Sequence, residues 1–257
     1  MMRIQFIGSG WLAEPAARHC QDLGHPVKVT TTDATKAQAL QETGLPALVY
    51  RLGDELDPSS ELLAADVLVI AITSKDVAAF ARLLQQLDSA PHQPHLIFTS
   101  STSVYTNNGQ IHDESSEALH DDSPLRVIEQ LVMESSRHTI LRLAGLVGPG
   151  RHPGRFFQSG RTLKNPQARV NLVHLDDCIG VLQAIIEQHA WPQIFNVCAD
   201  THPRKLDFYQ AMADQLQVPP PTFTTAKGGS DKVIDNQRIK AQLNYQLRHP
   251  DVMAMNF

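Results

Sequence analysis

The chain has 257 residues, 42% of them hydrophobic and 19% charged, with a net charge of −5; this is an ordinary globular composition, long enough for one large domain or two joined lobes. The acidic balance argues against non-specific binding to nucleic acid or to an anionic membrane. Three dispersed cysteines, Cys20, Cys178 and Cys198, form no CxxC pair and suit buried thiols in a reducing compartment better than a disulfide frame or a zinc site.

The opening MMRIQFIG is apolar but too short for a signal-peptide core or a membrane span, so a cytoplasmic protein is expected. From Arg3 onward, short β-like runs alternate with longer helical ones, which predicts an α/β chain with a parallel sheet. RIQFI (Arg3–Ile7) reads as a strand, and WLAEPAARHCQDLG as a helix stopping near Gly24, with Pro15 tolerated in its first turn. PVKVTTT and TKAQALQETG repeat the pattern, the second helix ending at Gly44. DVLVIAI (Asp66–Ile72) is apolar throughout, as in a strand buried on both faces, and a helix over 76–87 follows it. The segment APHQPHLIF holds His92 and His95, the closest pair among twelve scattered histidines; they read as solvated loop residues, and no metal site is expected.

HLIFTSS is the next strand, and Thr106–Asp122 reads as a polar surface loop. In SPLRVIEQLVMESS, Ser123 is a natural N-cap, Pro124 takes the first helical position, and Leu125, Ile128, Leu131 and Val132 form the apolar stripe. HTILRLAGLVGPG reads as a strand running into a glycine- and proline-bearing mouth. LDDCIGVLQAIIEQ is a helix, IFNVCA a strand, and a further helix covers Lys205–Leu216 before the prolines at 219–221.

Between the first strand and helix lies GSGWLA, with Gly8, Gly10 and Ala13 in G-x-G-x-x-A spacing. Gly8 allows the tight turn, Gly10 lets the backbone approach a pyrophosphate, and Ala13 lets the helix pack close to the sheet. The context of strand, glycine loop and helix predicts a Rossmann-type doubly wound sheet with Gly8, Ser9, Gly10, Trp11 and Leu12 cradling NAD(P). An NAD binder usually carries a carboxylate at the end of the second strand. Here that strand ends in Thr30, Thr31 and Thr32, with Asp33 one step late and Lys36 beyond. Hydroxyls and a lysine suit a 2′-phosphate, so NADP is favoured, although Asp33 serves equally well as a helix cap. Ligands bind beyond the carboxyl ends of such strands, which adds Ile72, Thr73 and Ser100 to the expected cofactor contacts.

Together, SSTSVY, LRLAGLVGPG, VNLVHLDDCIGVL, IFNVCA and KVIDNQRIKAQLNYQ resemble an extended short-chain dehydrogenase/reductase of the NAD-dependent epimerase/dehydratase group, over almost the whole chain. The resemblance implies a dinucleotide-binding domain over residues 1–150, completed by 170–199. Residues 151–169 and 200–257 would then form a smaller substrate lobe. It makes Ser101 the residue that binds the substrate's reacting oxygen. It also calls for a Tyr-x-x-x-Lys pair, in which the lysine and the nicotinamide lower the tyrosine pKa for acid/base work.

None of the four tyrosines (Tyr50, Tyr105, Tyr209, Tyr245) has a lysine four positions on. Aligning Glu129 with the glutamate that commonly follows the lysine puts Leu125 in the lysine's place and Asp121 in the tyrosine's, with Arg126 the nearby cation. The chain is therefore expected to be an atypical member, and three uses stay open. It could be a reductase or epimerase with Tyr105, a histidine or Asp121 in the tyrosine's role. It could instead be a non-catalytic NAD(P) sensor or scaffold, or a module that works without cofactor.

Arg151, His152, Arg155 and Arg161, in GPGRHPGRFFQSGR, suit a small anionic substrate such as a sugar nucleotide, which arginines grip bidentately. His174 is a further candidate for the pocket wall, and Arg238 stands where the family often reaches a nucleotide diphosphate. Family members often pair as homodimers through a four-helix bundle. SPLRVIEQLVMESS suits that role, and its apolar residues suit packing on the sheet equally well.

Overall fold

Runs of consecutive apolar residues leave no solvent face, and short β-branched runs of this kind settle inside a sheet. The strands of the main sheet, in chain order, are Ile4–Ile7 (β1), Val27–Thr31 (β2), Ala47–Val49 (β3), Val67–Ile70 (β4), His95–Ser101 (β5), His138–Leu143 (β6) and Gln193–Val197 (β7). Their spatial order is β7-β6-β5-β4-β1-β2-β3. β1 pairs in parallel with β2 (Ile4 opposite Val27) and with β4 (Ile4 opposite Val67). The winding therefore reverses at β1 and β4, the crevice where doubly wound sheets take ligands. Both strands are buried at every position. The computed structural model describes residues 1–57, 59–157, 162–224 and 231–257.

The helices are Ala13–Asp22 (α1), Ala34–Glu42 (α2), Val77–Asp88 (α3), Pro124–Met133 (α4), Leu175–Gln188 (α5), Lys205–Leu216 (α6) and Gln237–Leu243 (α7). Asp33, Asp76 and Ser123 cap α2, α3 and α4 by accepting from backbone amides of the first turn. Phe80 and Leu83 of α3 and Ile128 and Val132 of α4 close over Leu68, Ile70 and Phe98 of the sheet. Phe80 and Phe98 meet edge to face with ring centres 5.6 Å apart. Each such side chain contributes about 1.5–3 kcal/mol through burial.

Two compact units divide the chain. The first comprises Met1–Val104, His120–Arg142 and Leu182–Phe195. The second comprises Tyr105–Leu119, Leu143–Val181 and Asn196–Phe257. The second has its own core of Val147, Val170, Leu172, Phe208, Met212, Val252 and Met255. It also contains three short parallel pairings: 145–147 with 172–174, 111–112 with 233–234, and 163–164 with 223–224.

α5 and α6 and the strand β5 have the bounds expected from sequence, whereas α1 and α2 stop two residues before Gly24 and Gly44. Both glycines have left-handed backbone, with φ of +85° and +80°, as suits a chain leaving a helix. The segment HTILRLAGLV is two strands rather than one, interrupted at Ala144, and its second part pairs with 172–174 instead of joining the large sheet. β3 and the pairing of 111–112 were not foreseen, because two or three residues carry no readable alternation.

Candidate functional site

Gly8 follows β1 directly and has φ +114°; a Cβ there would lie 2.6 Å from the Ala71 carbonyl oxygen and 2.9 Å from Ile72 Cγ2. Glycine is therefore required by the fold at this position. The Gly8 amide donates to Thr30 Oγ1 at 3.0 Å, which fastens the turn to the end of β2. Ser9 is buried, and its carbonyl accepts from Lys36 Nζ at 2.6 Å. Gly10 is exposed, and a Cβ there would meet nothing within 4 Å. Leu12, at the N-cap of α1, supplies no side-chain cap to the helix's first amides. Trp11 and Leu12 are half-buried.

Thr31 is buried, and its hydroxyl accepts from the Asp33 amide at 3.3 Å; Thr32 is exposed. Asp33 caps α2, its Oδ1 taking the amides of Thr35 at 2.8 Å and Lys36 at 3.2 Å. Ile72 and Thr73 lie just past β4, and Ser100 is buried near the end of β5. The residues expected at the cofactor thus lie at the carboxyl ends of β5, β4, β1 and β2, four neighbouring strands of one sheet.

A buried ionic network stands behind β5. Glu129 of α4 and Arg142 of β6 are 0% and 1% exposed. Arg142 donates Nε to Glu129 Oε1 at 3.0 Å and a terminal NH2 to Oε2 at 2.8 Å, a bidentate pair. Ser100 Oγ donates to Glu129 Oε1 at 2.6 Å, and Arg126 to Oε2 at 3.2 Å. Arg126 Nε also lies 3.6 Å from the largely exposed Asp121 carboxylate. Leu125 is half-buried against the hydrophobic core. Sequence reasoning missed the Glu129–Arg142 pair. The signal was a charge on the apolar stripe of SPLRVIEQLVM and another inside the otherwise apolar ILRLA.

The serines and threonines of β5 divide their work. Thr99 Oγ1 donates to the Ile70 carbonyl at 3.1 Å, Ser100 serves Glu129, and Ser101 Oγ accepts from the Ser103 amide at 3.1 Å. The last contact leaves the Ser101 hydroxyl hydrogen unused by that bond.

In the second unit, Tyr105 is fully buried, donates its hydroxyl to Asn196 Oδ1 at 2.8 Å and stacks on His112. Lys232 Nζ donates to the Tyr105 carbonyl at 2.7 Å, and burial pushes this ammonium down to about 8. Burial pushes the Glu114 carboxyl upward; it accepts from the Asn196 amide at 2.7 Å and pairs with Arg238 at 3.3 Å. Arg151 and Arg155 are exposed, and His152 Nδ1 caps the short turn between them by accepting from the Gly154 amide. Arg161 lies outside the described residues. His174 is buried, with Nε2 3.2 Å from the Asn256 carbonyl, and burial lowers its pKa.

No protein-family model matches the chain. It is 34% identical to protein YeeZ of Escherichia coli K12, with 99% of both chains covered. A Methylobacillus flagellatus protein provisionally assigned as an NAD-dependent epimerase/dehydratase is 26% identical, with a TM-score of 0.76 over 97% of this chain and 94% of that one. Two more distant structures share the fold. MoeE5, in complex with UDP-glucose and NAD, has 15% identity and a TM-score of 0.77 over 96% and 93% of the two chains. The human epimerase family protein SDR39U1, with NADPH, has 15% identity and a TM-score of 0.73 over 98% and 97%. With near-complete coverage by YeeZ, the epimerase/dehydratase architecture and no Tyr-x-x-x-Lys in its sequence, the chain belongs to the YeeZ family, an atypical branch of the extended short-chain dehydrogenase/reductases.

Proposed function

We propose that this protein binds NAD(P), with NADP preferred, and reduces a small anionic carbonyl compound of the sugar-nucleotide kind, without a tyrosine–lysine pair. Gly10 carries the reading. Its backbone is not left-handed and a side chain there would touch no protein atom, so the turn has no use for glycine at this position. A pyrophosphate lying against the loop and the first amides of α1 does. The NADP preference rests on Asp33, whose carboxylate is committed to capping α2. A 2′-phosphate would then meet the exposed Thr32 hydroxyl and the Lys36 ammonium. The bound NAD of MoeE5 and NADPH of SDR39U1 support the cofactor class.

Reduction asks less of the protein than the reverse reaction. A reduced dinucleotide held at the glycine loop would supply hydride to the carbonyl carbon, and the substrate oxygen would then need only a proton, which solvent can give. Oxidising an alcohol, the first step of an epimerisation, needs a positioned base near neutrality. Tyr105 is a poor base for this, because its phenol is donated to Asn196 in the interior. Ser101 and Arg126 are the groups we assign to the developing oxyanion, and Arg151 and Arg155 to the substrate's anionic part. Arg238 and His174 would support the pocket through their bonds to Glu114 and Asn256. Residues 1–150 with 170–199 would form the cofactor domain, and 151–169 with 200–257 the substrate lobe. Among the described residues no helix is long and apolar enough to cross a membrane; the cytoplasm is the location we assign to the reductase.

A non-catalytic NAD(P) sensor is the second reading, favoured by Leu125 packing against the core at the position aligned with the family's lysine. NADPH consumption across a panel of keto-sugar nucleotides separates the two. The reductase reading expects turnover that drops about 10²- to 10³-fold in Ser101→Ala, as for loss of one oxyanion donor. Tight NADPH binding with no turnover on any compound would favour the sensor.

A further inference from the structure

His174, Asp176 and His249 converge in the second unit, although 73 positions separate Asp176 from His249. Each offers one ligand atom, and the three atoms lie within 4.8 Å of one another. His174 Nδ1 is 3.3 Å and His249 Nε2 is 2.8 Å from the same carboxylate oxygen, Asp176 Oδ2. We propose that these three side chains form a site for one divalent transition-metal ion of the zinc kind, with water completing its coordination.

The protonation pattern of His174 is what points to a cation. Its Nε2 faces the Asn256 carbonyl, which can only accept, so Nε2 carries the proton. Its Nδ1 accepts from the Asp176 amide at 3.2 Å, so Nδ1 holds a lone pair. Nδ1 also lies 3.3 Å from the carboxylate oxygen Asp176 Oδ2, a close approach of two acceptors that a bound cation would turn from repulsive to attractive. A ring N–H anchored on a carbonyl is also the usual support behind a metal-binding histidine.

The spacing suits the chemistry. Ligand bonds of about 2.0–2.2 Å in tetrahedral array set neighbouring ligand atoms roughly 3.4 Å apart. The 3.3 Å separation already matches this, and the 2.8 Å one must open slightly. Binding would also replace the long bond from the Asp176 amide. The side chains of His174, His249 and Asp176 are 4%, 25% and 43% exposed, so the site is open on the aspartate side to ion and water. Asp177 holds the backbone of His249 in place by accepting from the amides of Arg248 and His249 and from the Tyr245 hydroxyl. Two imidazoles and one carboxylate favour zinc, nickel or cobalt over the all-oxygen preference of magnesium and calcium. The expectation from sequence that no metal is bound rested on His92 and His95, since nothing in the sequence links His249 to the His-Leu-Asp-Asp segment.

The test is titration of the metal-stripped full chain with Co²⁺, followed by visible absorption, then displacement by Zn²⁺ with Mg²⁺ as control. One equivalent of Co²⁺ is expected, displaced by Zn²⁺ and not by Mg²⁺. Asp176→Asn and His249→Gln should each weaken binding by more than the ~10–100-fold that loss of an outer-shell partner costs. Should a variant fail to fold, zinc-dependent protection of the wild-type His249 ring from diethylpyrocarbonate decides instead. The proposal is overturned by absence of a stoichiometric site, by unchanged affinity in either folded variant, or by no protection of His249.

Discussion

Glu129 is fully buried; two guanidiniums and the Ser100 hydroxyl share its charge, and Ser100 is thereby fixed near the carboxyl end of β5. Replacing Glu129 by Leu removes the bidentate carboxylate partner of the buried Arg142. It should lower the unfolding free energy in urea by about 3–5 kcal/mol, the range for breaking a buried pair from one side. His95 makes a different prediction. It is fully buried, stacks on Trp191, and has its pKa pushed down to about 3 by desolvation. An unfolded histidine titrates near 6.5. Between these two values the unfolded chain binds a proton that the folded chain does not, so stability should fall as pH drops from about 6.5 towards 3. His95→Leu should flatten that slope in urea midpoints measured at successive pH values. An unchanged slope would mean that His95 is not the group responsible. Gly8 was legible because its place after a strand encodes a turn that only glycine can make. The roles of Glu129 and Arg142 were not, because a lone charge in an apolar pattern does not say which element supplies its partner.

At the level of elements, the helix α5 contains an apparent flaw. Gly180 in its interior forgoes about 1 kcal/mol of helix propensity relative to alanine. The cause is Tyr245, whose hydroxyl would lie 2.2 Å from a Cβ at Gly180 while it donates to Asp177 at 3.0 Å. Gly180→Ala should therefore destabilise by about 1–3 kcal/mol, as overpacking does, and Tyr245→Ala in the same chain should recover part of the loss. Additive effects in that double variant would show that the two residues do not conflict. Helix α4 could be read from its capping residue and period, α5 and α6 from their apolar period, and β1, β4 and β5 from their short apolar runs. The pairings of 111–112 with 233–234 and of 145–147 with 172–174 could not, since a parallel partner distant in sequence leaves no local signal.

For the whole molecule, the family was legible because its motifs recur along almost the entire chain, and the relation to YeeZ covers 99% of it. The lost acid/base pair was legible in the same way, as a missing Tyr-x-x-x-Lys. The buried network of Arg126, Glu129 and Arg142 was not, because its members are joined only through side chains in the folded state. The proposed function depends on the glycine loop holding a dinucleotide. Thermal melting of the wild-type chain and of Gly10→Val, each with NAD, NADH, NADP or NADPH, tests it directly. A ligand at about 100 times its dissociation constant stabilises by ~2.7 kcal/mol. We predict a rise in wild-type melting temperature that is larger with NADP or NADPH than with NAD or NADH. Gly10→Val should melt like wild type alone, since a side chain there meets no protein atom, and should show no rise. No rise for the wild type with any of the four, or an equal rise in the variant, would contradict the account.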